Sequence, residues 1–375
     1  MSGALSGLKI LDFSGLLPGP FASMYFADLG AEVIHIESPT RPDLVRLFAP
    51  YVFGQSAAYN YLNRNKQSIA LDLKQAESIQ LIYDKIKDFD IVLEQFRPGV
   101  MQRLGLDYAT LAKRHPGLIY CSITGYGQTG DYQHRAGHDI NYIALSGIAG
   151  HSGRKVNGPP AQGIQIADIA GGSMHAMIAI LAAVIERQSS GLGQHIDISM
   201  TDCVASLNSM AAAASLAGVP QQVEGELLNG GSFYDYYATR DGRYLSIGSL
   251  EPQFQQGLAQ ALDLPIIQEK GGSLDATDRE QVKQAITARI IQQDLAYWQT
   301  HFANLDLCVE SVLSLDEALH SELAQQRQWL VDVPIAPHSQ ETVKQMACPI
   351  KFSRSKMRYH YIGQALGQGQ WPTSK

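Results

Sequence analysis

A histidine and an aspartate, each at an apparent loop-to-helix junction, are the residues of this chain best placed to move a proton. The first lies in Gly137-His138-Asp139-Ile140-Asn141-Tyr142, the second about one helix later in Ile166-Ala167-Asp168-Ile169-Ala170-Gly171-Gly172. An imidazole and a carboxylate facing one acidic carbon would let a proton leave one face and return on the other. Gly137 permits a tight backbone approach, and amides at a helix start can hold an enolate oxygen. Blander roles run beside these. A lone histidine often serves only packing or the surface, and Asp168 is also a good helix N-cap. The glycines after Asp168 leave room for a bulky ligand, which capping does not require. Glu251, in Leu250-Glu251-Pro252-Gln253-Phe254, sits at a strand-to-helix junction where an acidic residue also favours the helix alone.

The elements that must position these residues alternate between short β-branched runs and helical periods. Strands are predicted at Lys9–Phe13, Glu32–Glu37, Ser68–Asp72, Ile91–Glu94 and Ile119–Ile123, with helices at Pro20–Leu29, Gln75–Lys87, Gly99–Leu104 and Tyr108–Arg114. That alternation implies a Rossmann-like α/β domain with a mostly parallel sheet and ligands at the carboxyl ends of its strands. The turn Ser14–Pro20 is no GxGxxG fingerprint, so no nicotinamide cofactor is expected. An apolar helix from Ala170 to about Arg187, a strand at His195–Ser199 and an Ala-rich helix at Asp202–Leu216 complete residues 1–217. A Gly- and Pro-containing linker is expected at 218–232, and a smaller α+β domain at 233–322. In it the runs Phe233–Thr239 and Tyr244–Gly248 flank Arg240-Asp241-Gly242-Arg243, a hairpin signal, before helices near Pro252–Leu262, Asp278–Gln293 and Leu295–Ala303. Residues 323–375 form a proline-rich return to the large domain.

The composition is 45% hydrophobic and 17% charged with a net charge of -7, which suits a globular protein and disfavours a general nucleic-acid role. Cys121, Cys203, Cys308 and Cys348 are widely spaced without a metal-ligand pattern and read as buried thiols in a reducing compartment. No metal site is expected. The first residues lack the apolar run of a signal peptide, and the stretch near Met174–Ile185 is too short to span a bilayer, so a cytoplasmic location without membrane contact is expected. Arg64, Lys66, Arg97 and Arg103 concentrate positive charge in the first domain, either as solvated surface charge or toward an anionic ligand.

Three further stretches carry a resemblance: Asn63-Arg64-Asn65-Lys66 with Leu71-Asp72-Leu73-Lys74, Phe96-Arg97-Pro98-Gly99-Val100 with Arg103-Leu104-Gly105, and Ile123-Thr124-Gly125-Tyr126-Gly127-Gln128. In these the chain resembles the class III CoA transferases (CaiB/BaiF type), over nearly its whole length. The Gly-His-Asp-Ile-Asn-Tyr and Glu-Pro-Gln-Phe segments make it most similar to the α-methylacyl-CoA racemase branch. The resemblance implies that His138 and Asp168 are acid/base groups on opposite faces of the α-carbon. It implies that Glu251 orients the imidazole, and that the Asp139 amide holds the thioester oxygen. It places coenzyme A, as part of the substrate and with no other cofactor, along Leu71, Asp72, Leu73, Lys74, Glu94, Gln95, Phe96, Arg97, Gly137 and Tyr142. It also implies an interlocked homodimer in which Glu251 acts in trans. Two alternatives stay open: a CoA transferase using Asp168 as nucleophile, and a catalytically silent acyl-CoA-binding relative. Two residues depart from the pattern, His35 where relatives carry Lys or Arg as a nucleotide contact, and Asp131 where a proline is common.

Overall fold

The computed structural model describes residues 3–372. The chain forms two compact units: the larger holds residues up to 146, 162–207 and those from 322 onward, the smaller 147–161 and 208–321. The larger runs β1 (Lys9–Asp12), α1 (Pro18–Asp28), β2 (Glu32–Glu37), β3 (Lys66–Ala70), α2 (Ala76–Lys85), β4 (Ile91–Glu94), α3 (Val100–Leu104), α4 (Tyr108–Ala112), β5 (Ile119–Thr124) and α5 (Asp139–Leu145). A π-helical stretch (Ala167–Met174) then continues into α6 (His175–Ser190), followed by β6 (His195–Ser199) and α7 (Met200–Ser206). The six strands lie in the order β3-β2-β1-β4-β5-β6, every neighbour parallel. Helices cover such a sheet on both faces, which is why Ile10, Leu11, Val92 and Leu93 are all fully buried. Strand order reverses between β1 and β4, and the crevice beyond the carboxyl ends at such a switch point is where doubly wound folds take ligands.

The smaller unit contains α8 (Ser209–Leu216), β7 (Asp235–Ala238), β8 (Tyr244–Ile247), α9 (Pro252–Leu262), α10 (Pro265–Lys270), α11 (Ala276–Ile290), α12 (Leu295–Phe302), β9 (Val309–Ser311) and α13 (Leu315–His320). β7 and β8 pair as the Asp-Gly hairpin, with Gly242 at φ +75°, and β9 adds to β8. Helices pack on this sheet around the buried Trp298 and Phe233. The unit takes in more chain than expected. The predicted helix at Asp202–Leu216 breaks at Leu207–Asn208, and the second half belongs here. Residues 147–161 join it because Arg154 pairs with Asp235 and Glu224 and the amide of Asn229 donates to the His151 carbonyl. The expected linker is bound in too, with Lys283 donating to the Gly230 carbonyl. The chain returns to the larger unit through α14 (Glu322–Gln326) and an antiparallel pair, β10 (Leu330–Pro334) and β11 (Thr342–Met346).

Arg64 and Lys66, read either as solvated surface charge or as facing an anionic ligand, are interior, 0% and 1% exposed. Arg64 forks onto Asp28 and also donates to the Met346 carbonyl, while Lys66 donates to the Pro20 carbonyl and Asn63. The Asn63–Lys66 motif is therefore a structural clamp. His35 lies 3.6 Å from Asp12 and 3.8 Å from Glu37 inside the sheet, which rules it out as a nucleotide contact. Cys121 and Cys348 are buried, Cys203 is half-buried and Cys308 is exposed. The helix from Ala167 to Ser190 is 24 residues, longer than the apolar stretch read from sequence, and by length and composition alone it could cross a membrane. Its Ala176, Ile180 and Ala183 are buried in the larger unit, while Ile178 and Ile185 are exposed.

Candidate active site

At the switch point the loop after β1, the strap after β4 and the end of β5 surround a cavity of about 290 Å³. Leu16, Pro18, Gln95, Phe96, Arg97, Thr124, Tyr126, Arg135, Gly137, Tyr142, His138 and Asp168 all contribute to its wall. Both candidate bases thus meet in one place, with five of the residues expected to contact CoA.

His138 occupies the N-cap of α5 in extended conformation, φ -129° and ψ 175°. Its amide donates to Asn141 Oδ1 at 3.0 Å, and Tyr142 Oη donates to the Gly137 carbonyl at 2.6 Å, so the first turn of α5 grips both sides of the histidine. The imidazole itself is exposed to the cavity side. Glycine is required at the two positions embracing Tyr142: an added Cβ at Gly125 would stand 2.5 Å from its ring, and one at Gly137 2.7 Å.

Asp168 is not a helix cap. It sits inside the first π-helical turn, and its carboxyl is pushed up to about 6 by burial and, secondarily, by the charge of Asp139. π-helical turns are rare and often mark functional positions. The following glycines have a packing cause rather than the ligand clearance expected of them. A Cβ at Gly171 would lie 3.0 Å from the Met200 carbonyl, and one at Gly172 3.1 Å from Pro18 and Met200. Asp139 contributes its side chain: Oδ1 accepts the amides of Ala167 (2.6 Å) and Asp168 (3.0 Å).

Glu94 ends β4 nearly fully buried and faces a neighbouring cavity of about 480 Å³, which shares Arg97, Pro98 and Gln133 with the first. Burial pushes its carboxyl up to about 7, and it accepts the Phe96 amide at 2.7 Å. Gln95 Oε1 accepts the Gly19 amide at 2.9 Å. Glu94 therefore supports the strap rather than lining the active cavity. Leu71 and Leu73 pack on the core and Asp72 caps its own turn by accepting the Lys74 amide; none of the four residues 71–74 lines the cavity. Glu251 belongs to the smaller unit, at the N-cap of α9, exposed and without a side-chain capping bond. A cavity of about 720 Å³ also lies in that unit, but its charged residues Arg154 and Asp235 are bound to each other at 2.8 Å.

A parallel sheet in the order 3-2-1-4-5-6 with an imidazole and a carboxyl at its switch point has close relatives among known proteins. The profile of CoA-transferase family III matches residues 5–368. The chain belongs to that family. It is similar to the α-methylacyl-CoA racemase of Mus musculus, 36% identical over 86% of this chain and 81% of the relative. It is also similar to the succinyl-CoA:glutarate CoA-transferase of Mus musculus, 31% identical over 97% of this chain and 84% of the relative. A solved CaiB/BaiF family protein from Brucella suis superposes with a TM-score of 0.84 at 28% identity, covering 98% and 97% of the two chains. The family thus holds both racemases and CoA transferases, and its fold is the one described above.

For a family III protein, the sequence motifs pointed to less of this wall than the structure shows. Thr124, Gly125 and Tyr126 were legible only as a family signature, yet they form its floor, and Thr124 Oγ1 is buried there without a protein partner. Arg135 and Gln133 come from a turn-rich loop that no periodicity marks. The support role of Glu94 has a direct consequence. Glu94→Ala should raise KM for an acyl-CoA about tenfold, the scale of one buried hydrogen bond left unmade, and Glu94→Gln, which keeps an acceptor for the Phe96 amide, clearly less. Equal KM values for the two variants in steady-state assays would show that the strap does not depend on this bond.

Proposed function

We propose that this protein is an α-methylacyl-CoA racemase that interconverts (R)- and (S)-2-methylacyl-CoA thioesters by two-base 1,1-proton transfer. The observation that supports it most is the placement of His138 and Asp168 on the wall of one cavity, the carboxyl of Asp168 poised near neutrality. One of the pair removes the α-proton, and the electron pair left on carbon delocalises into the thioester carbonyl. The Asp139 amide, at the start of α5, holds the enolate oxygen. The other member of the pair then delivers a proton to the opposite face. Coenzyme A enters and leaves as part of the substrate, held at the cavity by Gln95, Phe96, Arg97, Gly137 and Tyr142 and, beyond the cavity, by the 71–74 turn. The active form is an interlocked homodimer of the cytoplasm, in which Glu251 of the partner subunit orients the imidazole. The acyl group is bound by apolar surface and is a branched 2-methyl chain.

In either direction the catalytic pair holds one proton in total: neutral imidazole with protonated Asp168, or imidazolium with ionised Asp168. Both directions therefore share one pH dependence. Uptake of a second proton leaves the pair without a base, so activity falls on the acid side as pH drops through the raised range of the Asp168 carboxyl, about 6. Rate–pH profiles measured from each enantiomer should have coincident acid limbs near pH 6; limbs displaced from one another would exclude a shared-proton pair.

The second reading is a CoA transferase, favoured by the near full-length match to transferases and by Asp168 as a carboxylate able to form an acyl anhydride. That chemistry has no use for His138. Proton NMR of a single-enantiomer 2-methylacyl-CoA in deuterated water, without acceptor acid, separates the two. Loss of the α-proton signal with stereochemical scrambling supports the racemase. No exchange, with CoA transfer once a free acid is added, selects the transferase.

A further inference from the structure

We infer that the Asp139 side chain is a positioning residue for both bases, a clamp that fixes Asp168 relative to His138. This rests on the proton-transfer reading above and adds a residue to it. His138 and Asp168 are joined covalently only through a long excursion of chain, part of which belongs to the other compact unit. The Asp139 carboxylate closes that excursion directly. Its Oδ1 bonds to the amides of Ala167 and Asp168 across 28 and 29 residues of sequence, at 2.6 and 3.0 Å. Those amides open the π-helical stretch and would otherwise lack partners, as first-turn amides do. Asp139 directly follows His138, whose own backbone is held by Asn141 and, through Gly137, by Tyr142. One oxygen atom thus ties the backbone of one base to the residue beside the other.

The same carboxylate also sets the charge around Asp168. Titratable and charged groups on that cavity wall or against it are Asp139 and Tyr142 from α5, His138 at its N-cap, Arg97 from the strap, and Tyr126 and Arg135 from the loop after β5. Among these Asp139 is the group that raises the Asp168 carboxyl by like charge. Geometry and charge can therefore be removed separately. Asp139→Ala loses both and Asp139→Asn keeps an acceptor for the two amides, while both retain the backbone amide that holds the enolate oxygen.

The experiment compares wild type, D139A and D139N by kcat, KM and rate–pH profile with one 2-methylacyl-CoA, alongside thermal melts. D139A should lose about 100-fold in kcat with little change in KM, the scale expected when catalytic groups shift by about 1 Å. D139N should lose only several-fold in kcat and move its acid limb to lower pH, because the like charge is gone. A folded D139A with wild-type kcat overturns the clamp. If D139A does not fold, a folded Asp139→Glu variant, whose carboxylate is displaced by one methylene, overturns it by retaining wild-type kcat. A wild-type protein that shows no exchange in the NMR assay defeats the racemase reading, whereas exchange in wild type with unaltered variants defeats only the role of Asp139.

Discussion

A His138→Ala variant should lose racemisation by about 10²–10⁴-fold, the range that positioned acid/base groups supply. The loss is informative because it is asymmetric. With one base gone, the enantiomer whose α-proton faces Asp168 still exchanges with deuterated water, and the product keeps its configuration. The opposite enantiomer does not exchange. Asp168→Asn reverses the pattern, leaving exchange only on the face of His138. Two stereochemically complementary variants are what a two-base site produces and what a one-base site or an anhydride cannot. If His138→Ala retains full racemisation, the assignment of the imidazole is wrong. Stability provides the control. The Asp168 carboxyl is raised to about 6 by burial, so the native state binds its proton more tightly than the unfolded chain does. Stability from this group is present below its ordinary range near pH 4 and is lost as pH rises through about 6. At neutral pH the ionised carboxylate strains the fold, and Asp168→Asn should raise the melting temperature while abolishing turnover. A lowered melting temperature would mean that lost activity reflects lost structure.

What the sequence disclosed, and what it hid, follows from how each feature is encoded. Strands β2, β4 and β6 fall where the sequence predicts them: β4 is buried along its whole length and reads as an apolar run, while β6, at the sheet edge, alternates isoleucine with polar residues. His138 and Asp168 were legible as residue types at element starts, and the sheet order then brings them to one cavity. The roles of neighbouring residues were not, since those depend on distant partners. Gly171 and Gly172 looked like room for a ligand, yet what they accommodate is the Met200 carbonyl and Pro18. Asp168 looked like a cap, but Asp139, a helix and a long loop away, caps that turn. Leu71 and Leu73 carry a family motif and nevertheless spend their side chains on the core. The β10–β11 pair was read as an irregular return because Pro334 and Pro337 obscure its alternation; its register, Leu330 opposite Met346, is set by pairing that no local signal announces.

Arg64→Ala tests the most concealed of these long-range ties and should destabilise the protein by about 3–5 kcal/mol, the cost of stranding one member of a buried ion pair. Arg64 is 0% exposed, and so is the Asp28 side chain at the end of α1. The guanidinium reaches Asp28 through Nε at 3.0 Å and Nη2 at 2.6 Å, and its Nη1 donates to the Met346 carbonyl at 2.6 Å and to Gln345 at 3.2 Å. One side chain therefore fastens the first helix crossover of the sheet to a strand of the C-terminal return. Among the described residues, removing it leaves that carboxylate the Asn65 amide, at 2.9 Å, as its remaining side-chain donor. Most of the loss thus comes from the uncompensated Asp28 rather than from the pair's own attraction. A cycle with Arg64→Met, Asp28→Asn and the double variant, followed by denaturant unfolding, separates these contributions. The double variant should be more stable than Arg64→Met alone, since it leaves no buried charge behind. If the double variant is instead less stable by the sum of the single losses, Arg64 acts through Met346 and Gln345 independently of Asp28, and the clamp belongs to the return strand alone.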